Sequence, residues 1–266
     1  MAELKDKRLF LLDMDGTIYL DEQLFDGTLD FLAHVQRIGG RAMYLTNNSS
    51  KSVVDYIKKL ERLGISATQE DFITSSQATA QYLKEKCPNE RLYVCGTQSL
   101  KDELISQGFT VTEQLDEVDC IVMGFDTELT FQKLEDACIL LNRGVDYIAT
   151  NPDYVCPTEF GSVPDCGSVC DRIFNCTGRR PIFIGKPEPL MPLLGMEMVG
   201  AAPQETAVVG DRIYTDVKSG INAGTVSILV MSGETTQQIL EESSDKPDMV
   251  LESGAVILRA LKGEEV

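Results

Sequence analysis

Asp13 and Asp15 follow a short apolar run, and their type and spacing suit them to nucleophilic or acid–base chemistry. The run Phe10 to Leu12 predicts a buried strand, whose carboxyl end lies where open α/β folds place their reacting groups. Alternation along a strand predicts that both carboxyl groups face the same way. Because neighbouring carboxylates repel each other, the pair requires a cation or a shared proton and is a candidate reaction centre.

The ends of three other predicted strands carry polar side chains that can bind anions or cations. These candidates are Thr46, Asn47, Lys186, Asp211 and Asp216. In a parallel sheet the carboxyl ends of the strands share one edge, so residues distant in sequence can converge there. Each residue also has a simpler interpretation. The threonine, asparagine and aspartates can be parts of helix caps, and the lysine can be a solvated surface charge.

Taken together, these residues supply the parts of a phosphoryl-transfer site. Asp13 can attack phosphorus as a carboxylate nucleophile. Asp15 can protonate the leaving oxygen and later deprotonate a water molecule. Lys186 and Thr46 can bind the equatorial oxygens of the transferred group, where charge must be spread in the transition state.

Magnesium is the cation that this set of oxygen ligands predicts. We expect Mg²⁺ to bind the carboxylate of Asp13, the main-chain carbonyl of Asp15 and the carboxylate of Asp211, while keeping some of its waters. Asp216 is expected not to bind the metal directly but to order metal-bound waters or Lys186.

Strands that alternate with helices along the chain predict an α/β fold with a parallel sheet covered on both faces. A middle segment, from about Ala80 to Arg180, predicts an α/β unit of its own. The stretch 154–167 is rich in proline, glycine and acidic residues and predicts an irregular loop. The short apolar run 182–184 predicts the first strand of the returning main sheet.

The composition argues against two classes of partner. The chain has 266 residues with 24 basic and 42 acidic side chains, a formal charge of -18. Nucleic acids and anionic membranes require basic patches, so we expect neither as a partner. No apolar run reaches the roughly 18 residues that a membrane helix needs, and no signal-like segment begins the sequence, which predicts a soluble, cytoplasmic protein.

All eight cysteines lie in the middle of the chain, between residues 87 and 176. Without a signal peptide, and with a core large enough to fold unaided, reduced and mostly buried thiols are the expected state. A zinc site is the alternative, and its candidate ligands are Cys156, Cys166, Cys170 and Cys176.

Four segments, in order along the chain, resemble the motifs of the haloacid dehalogenase superfamily. They are Asp13-Met-Asp-Gly-Thr17, Leu45-Thr-Asn-Asn48, Gly185-Lys-Pro-Glu-Pro189 and Gly210-Asp-Arg-Ile-Tyr-Thr-Asp216. The segments Leu45 to Ser49 and Ala149 to Asp153 are similar to the p-nitrophenylphosphatase or NagD-like branch of that superfamily.

The resemblance implies a Rossmann-like core formed by residues 1–79 and 181–266, with an α/β cap inserted at residues 80–180. It implies a Mg²⁺-dependent phosphatase that hydrolyses small phosphomonoesters through an aspartyl-phosphate intermediate. Nucleoside monophosphates and sugar phosphates are the substrate classes that it suggests, with p-nitrophenyl phosphate as a surrogate. The presence of Asp15 favours phosphatases over dehalogenases, because dehalogenases lack an acid at that position.

The same resemblance assigns roles to individual residues. Asp13 and Asp15 are catalytic, and Asp13, Asp15 and Asp211 bind the metal. Asp216 supports the metal site without binding the metal itself. The predicted phosphate-binding residues are Gly16, Thr46, Asn47 and Lys186.

The cap is expected to contact a small phosphorylated metabolite and, as caps of this type can, to mediate a homodimer. Its candidate contact residues are Asn151, Asp153 and the loop 159–165. Ordinary turn chemistry is the alternative interpretation of these residues.

Two other functions use the same residues. A phosphotransferase or mutase would keep water from the aspartyl-phosphate and pass the phosphoryl group to another acceptor. A sensor would bind a phosphorylated ligand at the same sheet edge without turnover. Asp15 argues against the sensor, since a binding protein has no use for an acid–base residue.

Overall fold

The computed structural model describes residues 4–158, 160–252 and 254–263, which form two compact units. The first unit comprises the described residues of Met1–Thr46, Val53–Ile73 and Lys186–Val266. The second unit comprises those of Asn47–Ser52 and Thr74–Gly185. None of the helices in the described part of the chain has the length and apolar character that crossing a bilayer requires.

Strands and helices alternate through most of the chain. The strands are β1 (Leu9–Leu12), β2 (Tyr19–Leu20), β3 (Gln23–Leu24), β4 (Arg41–Thr46), β5 (Phe72–Thr74), β6 (Arg91–Cys95), β7 (Thr110–Val111), β8 (Cys120–Met123), β9 (Asp146–Ala149), β10 (Val155–Thr158), β11 (Gly161–Pro164), β12 (Ile182–Phe183), β13 (Thr206–Gly210), β14 (Val226–Val230) and β15 (Met249–Leu251). The α-helices are α1 (Thr28–Arg37), α2 (Val53–Arg62), α3 (Ser75–Lys86), α4 (Gln98–Ser106), α5 (Phe131–Arg143), α6 (Cys166–Thr177), α7 (Leu190–Val199), α8 (Lys218–Ala223), α9 (Gln237–Glu242) and α10 (Gly254–Leu261).

The sheet of the first unit has six strands in the order β15-β14-β13-β1-β4-β5. β1 pairs in parallel with β13 on one side and with β4 on the other, and all four of its residues are buried. Apolar side chains on both faces of a central strand explain its continuous hydrophobic run. The α/β fold with parallel sheets that the sequence predicts is therefore confirmed.

Helix α1 shows how a local sequence signal covers one face of this sheet. Phe31 and Val35 repeat at helical spacing and are buried, and the ring of Phe31 packs edge-on against Phe10 of β1 at 5.4 Å between centroids. Gly39 follows the helix with a φ of 73°, a conformation that glycine adopts without a steric penalty.

One predicted helix of the first unit differs in form. The sequence predicts a single helix over 214–223, but Ile213–Val217 form a π-helical turn and α8 begins only at Lys218. The Val217 amide donates to the carbonyl of Arg212, five residues earlier, and the Arg212 amide donates to a carboxylate oxygen of Asp216. The wider turn therefore carries Asp216 back toward the residues that follow β13, and π turns of this kind recur at functional sites.

The second unit has its own sheet of five parallel strands in the order β12-β9-β8-β6-β7. β12 pairs with β9, so the prediction that residues 182–184 return to the main sheet is wrong. A run of two or three apolar residues does not specify which sheet it joins, because that depends on pairing with a distant strand. This unit comprises the described residues of Asn47–Ser52 and Thr74–Gly185, whereas the predicted limits are 80 and 180.

The predicted irregular loop at 154–167 is also wrong. β10 and β11 form an antiparallel hairpin in which Val155 faces Pro164 and Thr158 faces Gly161. Proline and glycine led to the loop prediction, but both are tolerated in an isolated two-stranded ribbon whose outer edges make no ladder bonds. Glu159, which belongs to the predicted contact loop, lies outside the described residues.

Candidate functional site

A buried lysine connects two carboxylates of the first unit. Lys186 Nζ donates to Asp13 Oδ1 at 2.6 Å and to Asp216 Oδ1 at 2.6 Å, and it lies 3.5 Å from the carbonyl oxygen of Leu45. Lys186 is 3% exposed. Burial alone would lower the pKa of this ammonium group, but the two aspartates outweigh burial and raise it.

Asp13 and Asp216 lie beyond the ends of two neighbouring strands, β1 and β13. Asp13 follows β1, and its amide donates to the carbonyl of Val209 in β13 at 2.9 Å. Asp216 reaches the site through the π-helical turn after β13. A Cβ atom at Gly210 would lie 2.2 Å from the Cβ atom of Asp216, so only glycine permits that approach.

Asp211 brings a third carboxylate to the same place. Thr17 Oγ1 lies 3.3 Å from Asp211 Oδ1 and 3.5 Å from Asp13 Oδ2, and the Glu234 amide donates to Asp211 Oδ2 at 2.6 Å. A Cβ atom at Gly16 would lie 2.7 Å from Asp211 Oδ2, and Gly16 has a φ of 89°. The backbone turn at Gly16 therefore requires glycine, both because of the close approach to Asp211 and because of the positive φ.

The amide of Gly16 is already engaged, because it donates to the carbonyl oxygen of Tyr19 at 2.8 Å. The contribution of Gly16 in this structure is the close approach to Asp211. Phosphate binding by Gly16 stays a prediction.

The three carboxylates form a cluster that suits a hard cation. Oxygen atoms of Asp13, Asp211 and Asp216 lie within 4.8 Å of one another. Burial, with the neighbouring aspartates, raises the pKa of Asp13 well above its usual range even though Lys186 lowers it. Burial and Asp216 raise the pKa of Asp211 to about 6. Lys186 bonds to Asp13 and Asp216, and Arg212 is the cation that lowers the pKa of Asp211 most. The oxygen atoms of the three carboxylates are a donor set that fits the predicted Mg²⁺.

Asp15 has different surroundings from Asp13. Its side chain is 53% exposed, with Oδ2 at 3.2 Å from the hydroxyl of Tyr19 and Oδ1 at 3.3 Å from Lys59 Nζ. Lys59 Nζ also lies 3.8 Å from the centroid of the Tyr19 ring. β1 ends at Leu12, so strand alternation does not govern the direction of Asp15, and the two carboxylates have separate partners.

Sequence reasoning assigned no role to Lys59, Tyr19 or Thr17. Thr17 belongs to the first motif and could have been chosen from it. Lys59 and Tyr19 had no comparable signal, because a lysine on a helix and a tyrosine near a strand end are common features of surfaces and cores.

The other predicted residues fall into two groups. Thr46 is the last residue of β4 and is buried in the first unit. Asn47, Asn151 and Asp153 come together in the second unit, where Asn47 Nδ2 donates to both Asp153 oxygens at 3.3 and 3.2 Å. Asn151 Nδ2 donates to the Asn47 carbonyl at 2.8 Å, and its Oδ1 accepts from the Asp153 amide at 3.0 Å. These bonds join segment 47–52 to the turn after β9, and substrate contact by any of the three stays a prediction.

The cysteines are free thiols, as the sequence predicts. Of the four candidate zinc ligands, Cys166 and Cys170 lie close, with Sγ atoms 3.9 Å apart, whereas Cys156 is on the hairpin and Cys176 is exposed near the end of α6. Within the described ranges, the groups of three or more potential metal ligands include none of these four cysteines.

This chain is similar in sequence to known hydrolases and phosphatases. Residues 10–110 match the family model described as haloacid dehalogenase-like hydrolase, and residues 183–255 match a second HAD-hydrolase-like model. An acid sugar phosphatase from Staphylococcus epidermidis is 34% identical over 244 residues, which cover 92% of this chain and 94% of the relative.

Solved structures are similar over nearly the whole chain. A 4-nitrophenylphosphatase from Thermotoga maritima superimposes with a TM-score of 0.93 and 42% identity, covering 97% of this chain and 98% of its own. NagD from E. coli K-12 gives a TM-score of 0.86 at 29% identity, covering 94% and 97%. The fold of this chain is thus similar to that of solved p-nitrophenylphosphatase and NagD structures.

The buried lysine yields a prediction about stability. Substitution Lys186→Met leaves the carboxylates of Asp13 and Asp216 buried without their cation and should lower the free energy of unfolding by about 3–5 kcal/mol near pH 8. The loss should shrink toward acid pH, because protonation of Asp13 removes unpaired charge from the folded state. Urea unfolding in metal-free buffer, at several pH values, measures both effects.

Lys218→Met is the matched control. Lys218 pairs with Asp245, but both side chains are about a third exposed, so its removal should cost at most about 1 kcal/mol. Equal losses for the two lysine variants would contradict the importance of the buried pair.

Proposed function

Because this chain belongs to the haloacid dehalogenase-like hydrolases and is a phosphatase of that family, we propose that it hydrolyses small phosphomonoesters with Mg²⁺ through a phosphorylated Asp13. The observation that carries the proposal is the buried cluster in which Lys186 holds Asp13 beside Asp211 and Asp216. Such a cluster combines a positioned nucleophile, a cationic donor for phosphate and a donor set for a divalent cation.

In the first step, a carboxylate oxygen of Asp13 attacks phosphorus and the bond from phosphorus to the ester oxygen breaks. Asp15 gives its proton to the departing oxygen, which leaves as an alcohol. The side chain of Asp15 is more exposed than that of Asp13, which suits a proton donor, because its carboxyl group can exchange protons with solvent between steps.

In the second step, a water molecule attacks the phosphorus of the aspartyl-phosphate and passes a proton to Asp15. The bond from phosphorus to Asp13 breaks, which releases inorganic phosphate and restores both carboxyl groups. Lys186 neutralises charge on the phosphoryl oxygens in both steps, and Thr46 is proposed to donate to them.

Asp13, Asp211 and the main-chain carbonyl of Asp15 would hold Mg²⁺, with Asp216 positioning Lys186. When bound, Mg²⁺ supplies positive charge to the transferring phosphoryl group. Two of these roles have direct support, since Asp13 and Asp211 have oxygen atoms in one cluster and Asp216 accepts a bond from Lys186 at 2.6 Å.

Sugar phosphates are the substrate class that we propose first, with nucleoside monophosphates second and p-nitrophenyl phosphate as the surrogate. The name of the staphylococcal relatives supports sugar phosphates, and that of the Thermotoga protein supports the surrogate. We propose that the second unit acts as a cap that excludes water, with Asn47, Asn151 and Asp153 near the substrate. Pairing of two copies through this cap and a location in the cytoplasm stay predictions.

A phosphotransferase would share every step up to the aspartyl-phosphate. It differs in the acceptor, so release of inorganic phosphate in plain buffer, unchanged by added sugar alcohols, identifies a hydrolase. A non-catalytic sensor would release none.

Substitution Asp13→Asn tests the nucleophile. It should abolish Mg²⁺-dependent release of p-nitrophenol, with a loss of roughly 10⁴-fold or more in kcat, because an amide oxygen cannot form the intermediate. Asp30→Asn, an exposed aspartate of α1, is the control and should behave as the parent enzyme. Activity of Asp13→Asn within tenfold of the parent would reject the assignment.

Substitution Asp15→Asn tests the acid. An alkyl phosphate such as a sugar phosphate has a poor leaving group and should lose about 10²- to 10⁴-fold in rate, while p-nitrophenyl phosphate should lose less in the phosphorylation step. Pre-steady-state bursts of alcohol and of p-nitrophenol measure that step directly. Equal losses with the two esters would show that Asp15 does not protonate the leaving group.

A further inference from the structure

A second set of metal-ligating side chains lies in the second unit, at the edge of its sheet where strands begin. Cys120 is the first residue of β8, Asp146 is the first residue of β9, and the two residues are direct partners in the parallel pairing of these strands. Cys87 ends helix α3, and Glu90 comes directly before β6, a neighbour of β8. None of these four residues has a part in the proposed hydrolysis.

Cys87 and Glu90 belong to a tight turn, in which the Glu90 amide donates to the carbonyl of Cys87 at 3.3 Å. Ligands separated by two residues in such a turn are typical of zinc sites. Atoms of Cys87, Glu90 and Asp146 that can bind a metal lie within 4.8 Å of one another. Bonds of about 2.0–2.3 Å place tetrahedral zinc ligands roughly 3.3–3.8 Å apart, so side-chain rotations that bring them closer by about 1 Å complete this part of the site.

Cys120 supplies a fourth potential ligand from the buried side. Cys120 is fully buried, and its Sγ atom lies 3.5 Å from the carbonyl oxygen of Ile121. Burial, followed by Glu90 and Cys87, raises the pKa of its thiol. Burial likewise raises the pKa of Cys87 to about 11, with Glu90 as the next cause. The thiols are therefore protonated in the metal-free protein.

Glu90 is half-buried, and its carboxyl group lies beside the thiols of Cys87 and Cys120, whose hydrogen bonding lowers its pKa. Its Oε2 atom is buried and has no partner with good hydrogen-bond geometry. A buried carboxyl oxygen without a partner costs free energy, and unsatisfied groups of this kind call for an explanation such as a bound ion. Burial and Asp146 together raise the pKa of Glu90. A cation between these side chains would satisfy Glu90 and offset the repulsion from Asp146.

We propose that Cys87, Glu90, Cys120 and Asp146 bind a zinc-like divalent cation, in a site separate from the Mg²⁺ site of the first unit. Two sulfur and two oxygen ligands suit a borderline-soft, tetrahedral ion such as Zn²⁺ and disfavour Mg²⁺, which prefers six oxygen ligands. Binding would release the two thiol protons to solvent, with no change in oxidation state. The ion would connect the end of α3 to the starts of β8 and β9 and stabilise this edge of the sheet.

Co²⁺ is a probe that distinguishes this site from the oxygen-only site of the first unit. Thiolate ligands give bound Co²⁺ an intense charge-transfer absorption in the near ultraviolet, whereas carboxylate ligands do not. The experiment titrates Co²⁺ into the reduced, metal-free full-length protein in the presence of excess Mg²⁺, which occupies the oxygen-only site. We expect the absorption to saturate at one equivalent of Co²⁺ and to disappear when Zn²⁺ is added.

Four variants locate the signal. Cys87→Ser and Cys120→Ser should each reduce the absorption by about half or more, while Glu90→Gln and Asp146→Asn should keep it but weaken Co²⁺ binding by roughly tenfold or more. Cys176→Ser is the control, because Cys176 is an exposed cysteine of the same unit, and it should match the parent.

The two carboxylate variants keep the test decisive if the buried Cys120→Ser protein does not fold. Absence of the absorption in the parent protein would overturn the proposal. So would unchanged absorption and affinity in Cys87→Ser, Glu90→Gln and Asp146→Asn, which would assign the signal to other thiols.

Discussion

The candidate active site depends on one buried ammonium group placed between two carboxylates. Lys186 is almost fully buried and bonds to Asp13 and Asp216 at 2.6 Å each. A charge removed from water to this extent is tolerable only with ionised partners at hydrogen-bonding distance. The packing of the surrounding strands is constrained by that requirement, because Asp13, the Leu45 carbonyl and Asp216 come from the ends of β1, β4 and β13.

Charge balance then explains the neighbouring residues. Lys186 neutralises part of the charge of Asp13 and Asp216, while burial, followed by the neighbouring carboxylates, raises the pKa of Asp13 and Asp211. Glycines occur where these carboxylates approach the backbone, at Gly16 and Gly210. A divalent cation would balance the remaining charge of this cluster, and the proposed reaction would use it.

Much of this could be predicted from the sequence because the relevant signals are local. Buried apolar runs that end in polar residues located β1, β4 and β13, and parallel topology placed Asp13 and Asp211 at one edge of the first sheet. Lys186 follows β12 of the second sheet, and Asp216 reaches the site through the π-helical turn. The features that the sequence did not predict are one pairing with a distant strand and one local hairpin. β12 joins the second sheet, and residues 155–164 form a hairpin, although proline and glycine there favour a loop. Likewise, Cys87 and Cys120 are distant in the sequence and are neighbours only because of the fold.

The central claim is that Asp13 carries the phosphoryl group during turnover. Rapid acid quenching of the enzyme during hydrolysis of a sugar phosphate, followed by borohydride reduction and peptide mass spectrometry, tests this most directly. Reduction converts an aspartyl-phosphate to homoserine, and the account predicts homoserine at position 13 only in samples that contain substrate and Mg²⁺. Homoserine at another aspartate, or none at any position during continuous release of phosphate, would contradict it.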